Sequence, residues 1–170
     1  MSKEVINWTQ GDVMNQFISG NIAMMVNGPW QVPTMREQAP DLNWDVTLLP
    51  KDAEYASCLG GENFGVIDGD NVDAALDFLQ FATSKDEVAS YIDDFGYIAA
   101  RKDVAEGQFT DDETMQKFTE EMQYAQPRGP HAQWPEISDA LSLAVNESIT
   151  GTSTPADAAA KAQSTIDGIL

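Results

Sequence analysis

The pattern of apolar positions predicts a helix followed by a strand near the start of the chain. Residues 13–18 carry apolar side chains at helical spacing, and Gly20 is a typical helix stop. A continuous apolar run over residues 22–26 then leads into Asn-Gly-Pro-Trp. This order predicts a strand that delivers the large aromatic side chain of Trp30 at the edge of a sheet.

Two further strands are predicted in the section that prolines and glycines punctuate. Residues 44–49 and residues 59–67 are rich in apolar and β-branched side chains, and the second run is interrupted by Gly60-Gly61. A short helix over residues 32–38 fits between the first two strands. Together with the helices downstream, these strands predict a mixed α/β fold that is rich in helix.

From residue 72 onward the apolar spacing favours helices. Helices are predicted to begin at Val72, after Ser84, after Thr110, near Glu136 and at Pro155, because each carries a capping pattern or an amphipathic stripe. The predicted buried stripes of the last three helices consist of Met115, Phe118, Met122, Ile137, Leu141, Val145, Ile149, Ala159, Ala162, Ile166 and Ile169.

The composition of the chain limits the classes of molecule and metal that it is expected to bind. The 170 residues include 28 acidic and 9 basic side chains, a formal net charge of -19, so a nucleic-acid backbone or an anionic membrane surface would be repelled. The single cysteine, Cys58, cannot form an internal disulfide and is predicted to be a small buried residue. The single histidine, His131, has no neighbouring ligand set, so neither a metal nor another cofactor is expected.

Five motifs in one order resemble the bacterial extracellular solute-binding proteins of sugar ABC transporters, the group that includes the maltodextrin binders. Asn27-Gly28-Pro29-Trp30 is similar to the NGPW signature of that family. One departure occurs at Ala99, where proline is common. The likeness covers nearly the whole chain, and its segments are residues 17–24, 27–30, 44–50, 60–66 and 96–101.

The resemblance implies a periplasmic-binding-protein-like fold in which the chain passes between two lobes. It assigns residues 1–60 to the C-terminal lobe, residues 61–98 to a helical piece of the N-terminal lobe, and residues 99–170 to a helical return. The sequence is therefore expected to be a C-terminal portion of a longer protein, since residues 1–4 lack the apolar core of a secretory signal.

The function that the resemblance implies is capture of an oligosaccharide and its delivery to an ABC transporter permease. The sugar would close the cleft between the lobes without any bond being broken, so the protein is expected not to be an enzyme. The expected location is extracytoplasmic, either the periplasm or a Gram-positive cell surface with a lipid anchor. A portion lacking half of the cleft is expected to bind weakly.

Six residues are candidates for contact with the sugar. Trp30 and Trp134 offer flat ring faces, and the Arg128 guanidinium is a rigid fork of donors. Gly61 allows close approach of the backbone, while Glu62 and Asn63 could bond adjacent hydroxyls.

Each main candidate also has a structural interpretation. Trp30 could cap a core, Arg128 could bridge acidic residues, and Trp134 could cap a helix that begins near Glu136. Asn27 is predicted to serve its turn. Tyr97 is predicted to be structural, close to a hinge, and so is Arg101.

Two other functions stay open at this stage. A glycoside hydrolase would need two facing carboxylates, of which only Glu62 can be placed beside the predicted cleft. A helical interaction module would bury Trp30 and leave the Gly60-Gly61 loop without a role.

The helices over residues 72–94 are expected to lack the sheet that they would cover, which predicts a homo-oligomer or a domain swap.

Overall fold

The computed structural model describes residues 2–170, and helices dominate that range. They are α1 (Gln10–Ile18), α2 (Val32–Gln38), α3 (Val72–Ala82), α4 (Lys85–Tyr91), α5 (Lys102–Ala105), α6 (Glu113–Glu121), α7 (Trp134–Thr150) and α8 (Pro155–Asp167). Within the same range, the strands are β1 (Ser57–Leu59) and β2 (Ala125–Pro127). The expectation of a helix-rich chain is confirmed, whereas the sheet is far smaller than predicted.

The chain divides into two compact units. One joins the residues up to Val13 with Arg128–Leu170, and the other is formed by Met14–Pro127. The predicted assignment of residues 1–60, 61–98 and 99–170 to alternating lobes stays a prediction.

The first unit is built on the contact of α7 with α8. Ala158 and Ala162 are buried on α8, and such small side chains allow two helix axes to approach closely. Lys161 pairs with Glu147 across the two helices at 2.7 Å. Thr154 caps α8 by accepting a hydrogen bond from the Asp157 backbone amide, as its sequence pattern predicted.

The second unit contains small separate cores. Val88, Ala99 and Val104 form one buried cluster, and Met35 of α2 and Met115 of α6 are almost completely enclosed. Arg36 also binds Asp112 with two parallel hydrogen bonds of 2.7 and 2.8 Å, which joins α2 to the start of α6. Asp112, rather than Thr110, is the residue that caps this helix.

The predicted strand before Trp30 is wrong. Residues 22–26 form no backbone hydrogen bond with any other residue of the range 2–170, and the side chains of Met24 and Val26 are 86% and 76% exposed. A strand exists only where a neighbouring chain segment satisfies its amide and carbonyl groups. The part of the chain that the structure describes supplies no such neighbour here, so the apolar run stays irregular.

The other two predicted strands are largely wrong for the same reason. Residues 44–49 form no strand, although the Leu49 backbone amide donates to Glu121 Oε2 at 3.2 Å. Of residues 59–67, only Leu59 belongs to a strand. That strand, β1, pairs in parallel with β2, with Leu59 opposite Pro127. The carboxyl ends of both strands therefore lie at the same edge.

Several predicted buried positions are exposed. Met115, Ile137 and Ala162 are buried as predicted. The predictions for Met122, Leu141, Val145 and Ala159 are wrong, since all four are exposed, as is Cys58. Helical spacing identifies an apolar face but does not supply the layer that covers it.

Candidate functional site

Trp30 lies in a 3₁₀ turn, Pro29–Gln31, that leads into α2. Its indole ring rests on the backbone of Gly28, because a Cβ atom at Gly28 would lie only 2.1 to 2.4 Å from three ring carbons. Asn27 Oδ1 accepts a hydrogen bond from the Gly28 amide at 3.0 Å, which confirms the predicted turn role of Asn27. The Asn-Gly-Pro-Trp motif thus seats a half-buried aromatic ring on its own main chain.

Tyr97 lies beside Trp30. The two ring centroids are 6.0 Å apart, and the ring planes are inclined by 39°. The preceding residue, Gly96, has a φ of 66°, a conformation that glycine adopts without strain. A Cβ atom there would lie 2.9 Å from both Pro29 O and Pro33 Cδ. Two motifs that are distant in sequence therefore pack together through glycines.

The aromatic row continues beyond Tyr97. Phe95 lies 6.4 Å from Tyr97, and Tyr91 lies 6.2 Å from Phe95, as measured between ring centroids. Phe95 is 57% exposed and Tyr97 is 36% exposed. We call Trp30, Tyr97, Phe95 and Tyr91 the aromatic row.

The polar atoms of the rings in the aromatic row differ in whether they form hydrogen bonds. The Tyr91 hydroxyl donates to the Ala82 carbonyl at 3.4 Å. Among residues 2–170, neither Trp30 Nε1 nor the Tyr97 hydroxyl has a hydrogen-bond partner in this structure. Trp30 Nε1 is not fully buried, so solvent reaches this donor. The ring is consequently enclosed on one side and open at its polar atom.

Gly61, Glu62 and Asn63 share one exposed loop that follows β1. Within the described residues, neither side chain of this loop forms a hydrogen bond or an ion pair. The loop leaves the sheet at the carboxyl edge, the edge at which β2 also ends. Both polar side chains are therefore available to a ligand.

Arg128 and Trp134 belong to the other compact unit. Arg128 is exposed, and in the described part of the chain it pairs with no carboxylate despite the many acidic residues. The bridging interpretation of Arg128 thus has no support. Trp134 is half-buried and is itself the first residue of α7, two residues before the predicted start. His131 Nδ1 accepts from the Gln133 amide at 3.2 Å.

Arg101 has a structural role, as predicted. Its guanidinium binds the Asp103 carboxylate through hydrogen bonds of 3.0 and 2.8 Å and donates to the Thr83 carbonyl at 3.2 Å. The hydrogen bonds from Arg101 lower the pKa of Asp103. This arrangement joins the start of α5 to the end of α3.

The charged groups do not form a metal centre. Between residues 2 and 170, no group of three or more His, Cys, Asp or Glu side chains is arranged to hold a metal ion. The aromatic row offers ring faces, and the exposed loop after β1 offers the carboxylate of Glu62 and the amide of Asn63. Sequence reasoning missed that Tyr97 lies beside Trp30 and that Phe95 follows Tyr97 in the row, because this arrangement depends on a turn at Gly96 that spacing alone does not reveal.

Comparison with known proteins identifies the family of this chain. Residues 2–119 match the family described as bacterial extracellular solute-binding protein. The chain belongs to this family.

Curated relatives agree at the level of binding. The chain is 28% identical over 166 residues to proteins named as binding proteins in Brucella abortus strain 2308 and Brucella suis biovar 1 strain 1330. The match covers 93% of this chain and 40% of each relative, so the chain spans well under half the length of these relatives. No helix within residues 2–170 has both the length and the apolar character needed to cross a bilayer.

Proposed function

We propose that the protein binds an oligosaccharide, with Trp30 as the ring on which a sugar unit stacks. The observation that carries the proposal is how the Trp30 side chain is held and which of its atoms stays open. Its ring is held against Gly28, while Nε1 has no partner among residues 2–170 and reaches solvent. A flat apolar face beside an open donor suits a ligand that presents C–H groups on one side and hydroxyls at its rim.

The exposed polar residues supply the second kind of contact. Glu62 and Asn63 can accept from and donate to adjacent hydroxyls, with Gly61 permitting close approach of the backbone. The resemblance of their loop also assigns a sugar-binding role to Arg128 and Trp134. A net charge of -19 favours a neutral ligand over an anionic one.

The remaining parts of the proposal concern the whole protein. We assign it an extracytoplasmic location and a periplasmic-binding-protein-like fold. Residues 1–60, 61–98 and 99–170 would be distributed between its two lobes. Closure of the lobes on the sugar would create the surface that an ABC transporter permease recognises. Anchoring by a lipid at a Gram-positive surface and a periplasmic location are both compatible with this role.

The direct test follows the indole N–H resonances of the chain by NMR during titration with sugars. Trp30→Leu assigns its resonance, and the wild-type Trp30 signal is expected to shift with sugar at millimolar concentration. Phe64→Leu removes an exposed ring outside the aromatic row and serves as the control. A Trp30 signal that is unmoved by every sugar would contradict the proposal.

The enzyme alternative has its own measurement. A glycoside hydrolase would release reducing sugar from oligosaccharides, and we expect no release above the rate without protein. The helical interaction module makes the opposite prediction for binding, because it requires no response of Trp30 to any small ligand.

A further inference from the structure

We propose that Tyr97 is a second ligand-contacting ring, so that Trp30 and Tyr97 bind two consecutive units of one sugar chain. This inference rests on the proposed function and deepens it. It assigns the site a ligand of at least two units, and it assigns a binding role to a residue that the sequence indicated as structural.

The backbone holds the two rings in a defined relation. Gly28 seats the Trp30 ring, and Gly96 places Tyr97 next to Pro29 and Pro33 by an approach too close for any side chain. With 6.0 Å between centroids and 39° between planes, the rings do not stack face to face on each other. Each ring therefore keeps surface that a separate sugar unit can contact.

The hydrogen-bonding pattern distinguishes ligand-competent rings from structural ones. Tyr91, at the far end of the aromatic row, uses its hydroxyl to bind the Ala82 carbonyl. Trp30 Nε1 and the Tyr97 hydroxyl have no such partner within residues 2–170. Aromatic side chains with polar atoms that serve packing generally satisfy those atoms internally. The polar atoms of these two adjacent rings are therefore available to one ligand.

Exposure and charge define the ligand further. Tyr97 is 36% exposed and Phe95, next in the row, is 57% exposed, so the accessible surface extends away from Trp30. Asp93 and Asp94 adjoin Phe95 in sequence, and their charges would repel an anionic ligand. A neutral chain of hydroxylated rings fits this surface.

An organic cation is the competing ligand, because aromatic faces near carboxylates also attract quaternary ammonium groups. Cation binding of that kind uses several rings that surround one charge. The rings here instead follow one another in a row, which favours an elongated ligand. The experiment includes a cation so that this alternative has a measured outcome.

The experiment compares one-unit and two-unit sugars on the full 170-residue chain by NMR titration. The probes are glucose, galactose, maltose, cellobiose, lactose and tetramethylammonium chloride. For the wild type, we expect at least one disaccharide to bind more tightly than either monosaccharide, by about three- to tenfold for one additional ring contact. Tyr97→Leu is expected to abolish that advantage while leaving the monosaccharide Kd within about twofold.

Two variants serve as controls. Tyr97→Phe retains the ring and removes the hydroxyl, so it should keep most of the disaccharide advantage if the ring face makes the contact. Phe78→Leu removes an exposed ring that makes no ring contact in the described structure, and it should bind like the wild type. Dispersed amide spectra establish that each variant is folded.

The outcomes separate the two proposals. If no sugar moves the Trp30 signal, both the proposed function and the role of Tyr97 are overturned. If sugars move it but Tyr97→Leu weakens monosaccharide and disaccharide equally, or neither, only the role of Tyr97 is overturned. A stronger response to tetramethylammonium than to every sugar overturns the carbohydrate assignment.

Discussion

At the scale of single residues, two glycines position the candidate site. Gly28 and Gly96 have different reasons for being glycine: the first lies under a ring, and the second combines a left-handed backbone conformation with contacts to Pro29 and Pro33. The contact at Gly28 is with a ring two residues away, whereas the contacts at Gly96 join segments separated by more than sixty residues. A glycine in a sequence indicates freedom of the backbone, but only the structure shows what approaches it.

Gly28→Ala tests whether the Trp30 ring depends on this contact. The φ of -102° at Gly28 is open to alanine, so the main effect is the overlap of the new methyl group with the indole. We expect Trp30 to leave its seat, with a loss of about 1–3 kcal/mol in the free energy of unfolding. Chemical denaturation gives the energy, and the indole N–H resonance reports the displacement.

Gly61→Ala provides the matched comparison for this substitution, because no atom lies within 4 Å of a Cβ at Gly61. It should leave both the unfolding energy and the Trp30 resonance nearly unchanged. An equal effect of the two substitutions would show that chain flexibility, and not the ring contact, governs the result.

Asp112 makes stability depend on pH. Hydrogen bonds from Arg36 hold the pKa of this carboxyl below its usual value. Because the folded-state pKa is the lower one, the stabilisation is fully present above the unfolded-state pKa of about 3.9 and is lost as pH falls through the folded-state value. Asp112→Ala also removes the cap of α6, and we expect a cost of about 1–2 kcal/mol at neutral pH.

The measurement is the free energy of unfolding from urea titrations at neutral pH and at about pH 3. Asp112→Asn keeps a capping oxygen and removes the charge, so it isolates the ion pair, whose contribution is small because the Arg36 side chain is half exposed. A difference between wild type and Asp112→Ala that is the same at both pH values would contradict the assignment.

At the scale of elements, helices follow the sequence and strands do not. α3, α4, α7 and α8 occur where spacing and capping residues predict them, since a helix satisfies its backbone hydrogen bonds within itself. Three apolar runs have the composition of strands, but none of them has a pairing strand in the described residues: 22–26, 44–49 and 60–67. Strand formation is a property of pairs of segments, so composition alone overestimates it.

Hydrogen exchange tests this distinction directly. The amides of residues 22–26, which make no backbone hydrogen bond, should exchange as fast as those of an unfolded peptide. Amides in the middle of α7 should be protected, because each donates within a helix of 17 residues. Protection of residues 22–26 at neutral pH would show that the run pairs with another segment in solution.

At the scale of the whole molecule, a strong acidic charge coexists with uncovered apolar faces. The net charge is -19, and the exposed face of α3 includes Leu76, Phe78 and Phe81. Apolar burial favours association, while charge repulsion opposes it. The predicted oligomer or domain swap therefore depends on ionic strength.

We expect the sedimentation coefficient at about 20 µM protein to rise with salt, because salt weakens the repulsion between the acidic chains. The Debye length falls from roughly 10 Å at 0.1 M to roughly 3 Å at 1 M ionic strength. Phe78→Gln should reduce association by removing apolar surface from α3. Cys58→Ser serves as the control for disulfide linkage through the exposed thiol. A monomer at every salt concentration would contradict the prediction.

The family, the acidic charge, the positions of the main helices and the choice of Trp30 as a candidate all follow from the order of amino acids alone. Each of these is carried by residues that are close together in the chain or by a simple sum over it. The folded chain was needed to show that Tyr97 lies beside Trp30, and that among the described residues Arg128 has no acidic partner and the apolar runs have no pairing strand. These depend on contacts between distant segments, which local patterns do not encode.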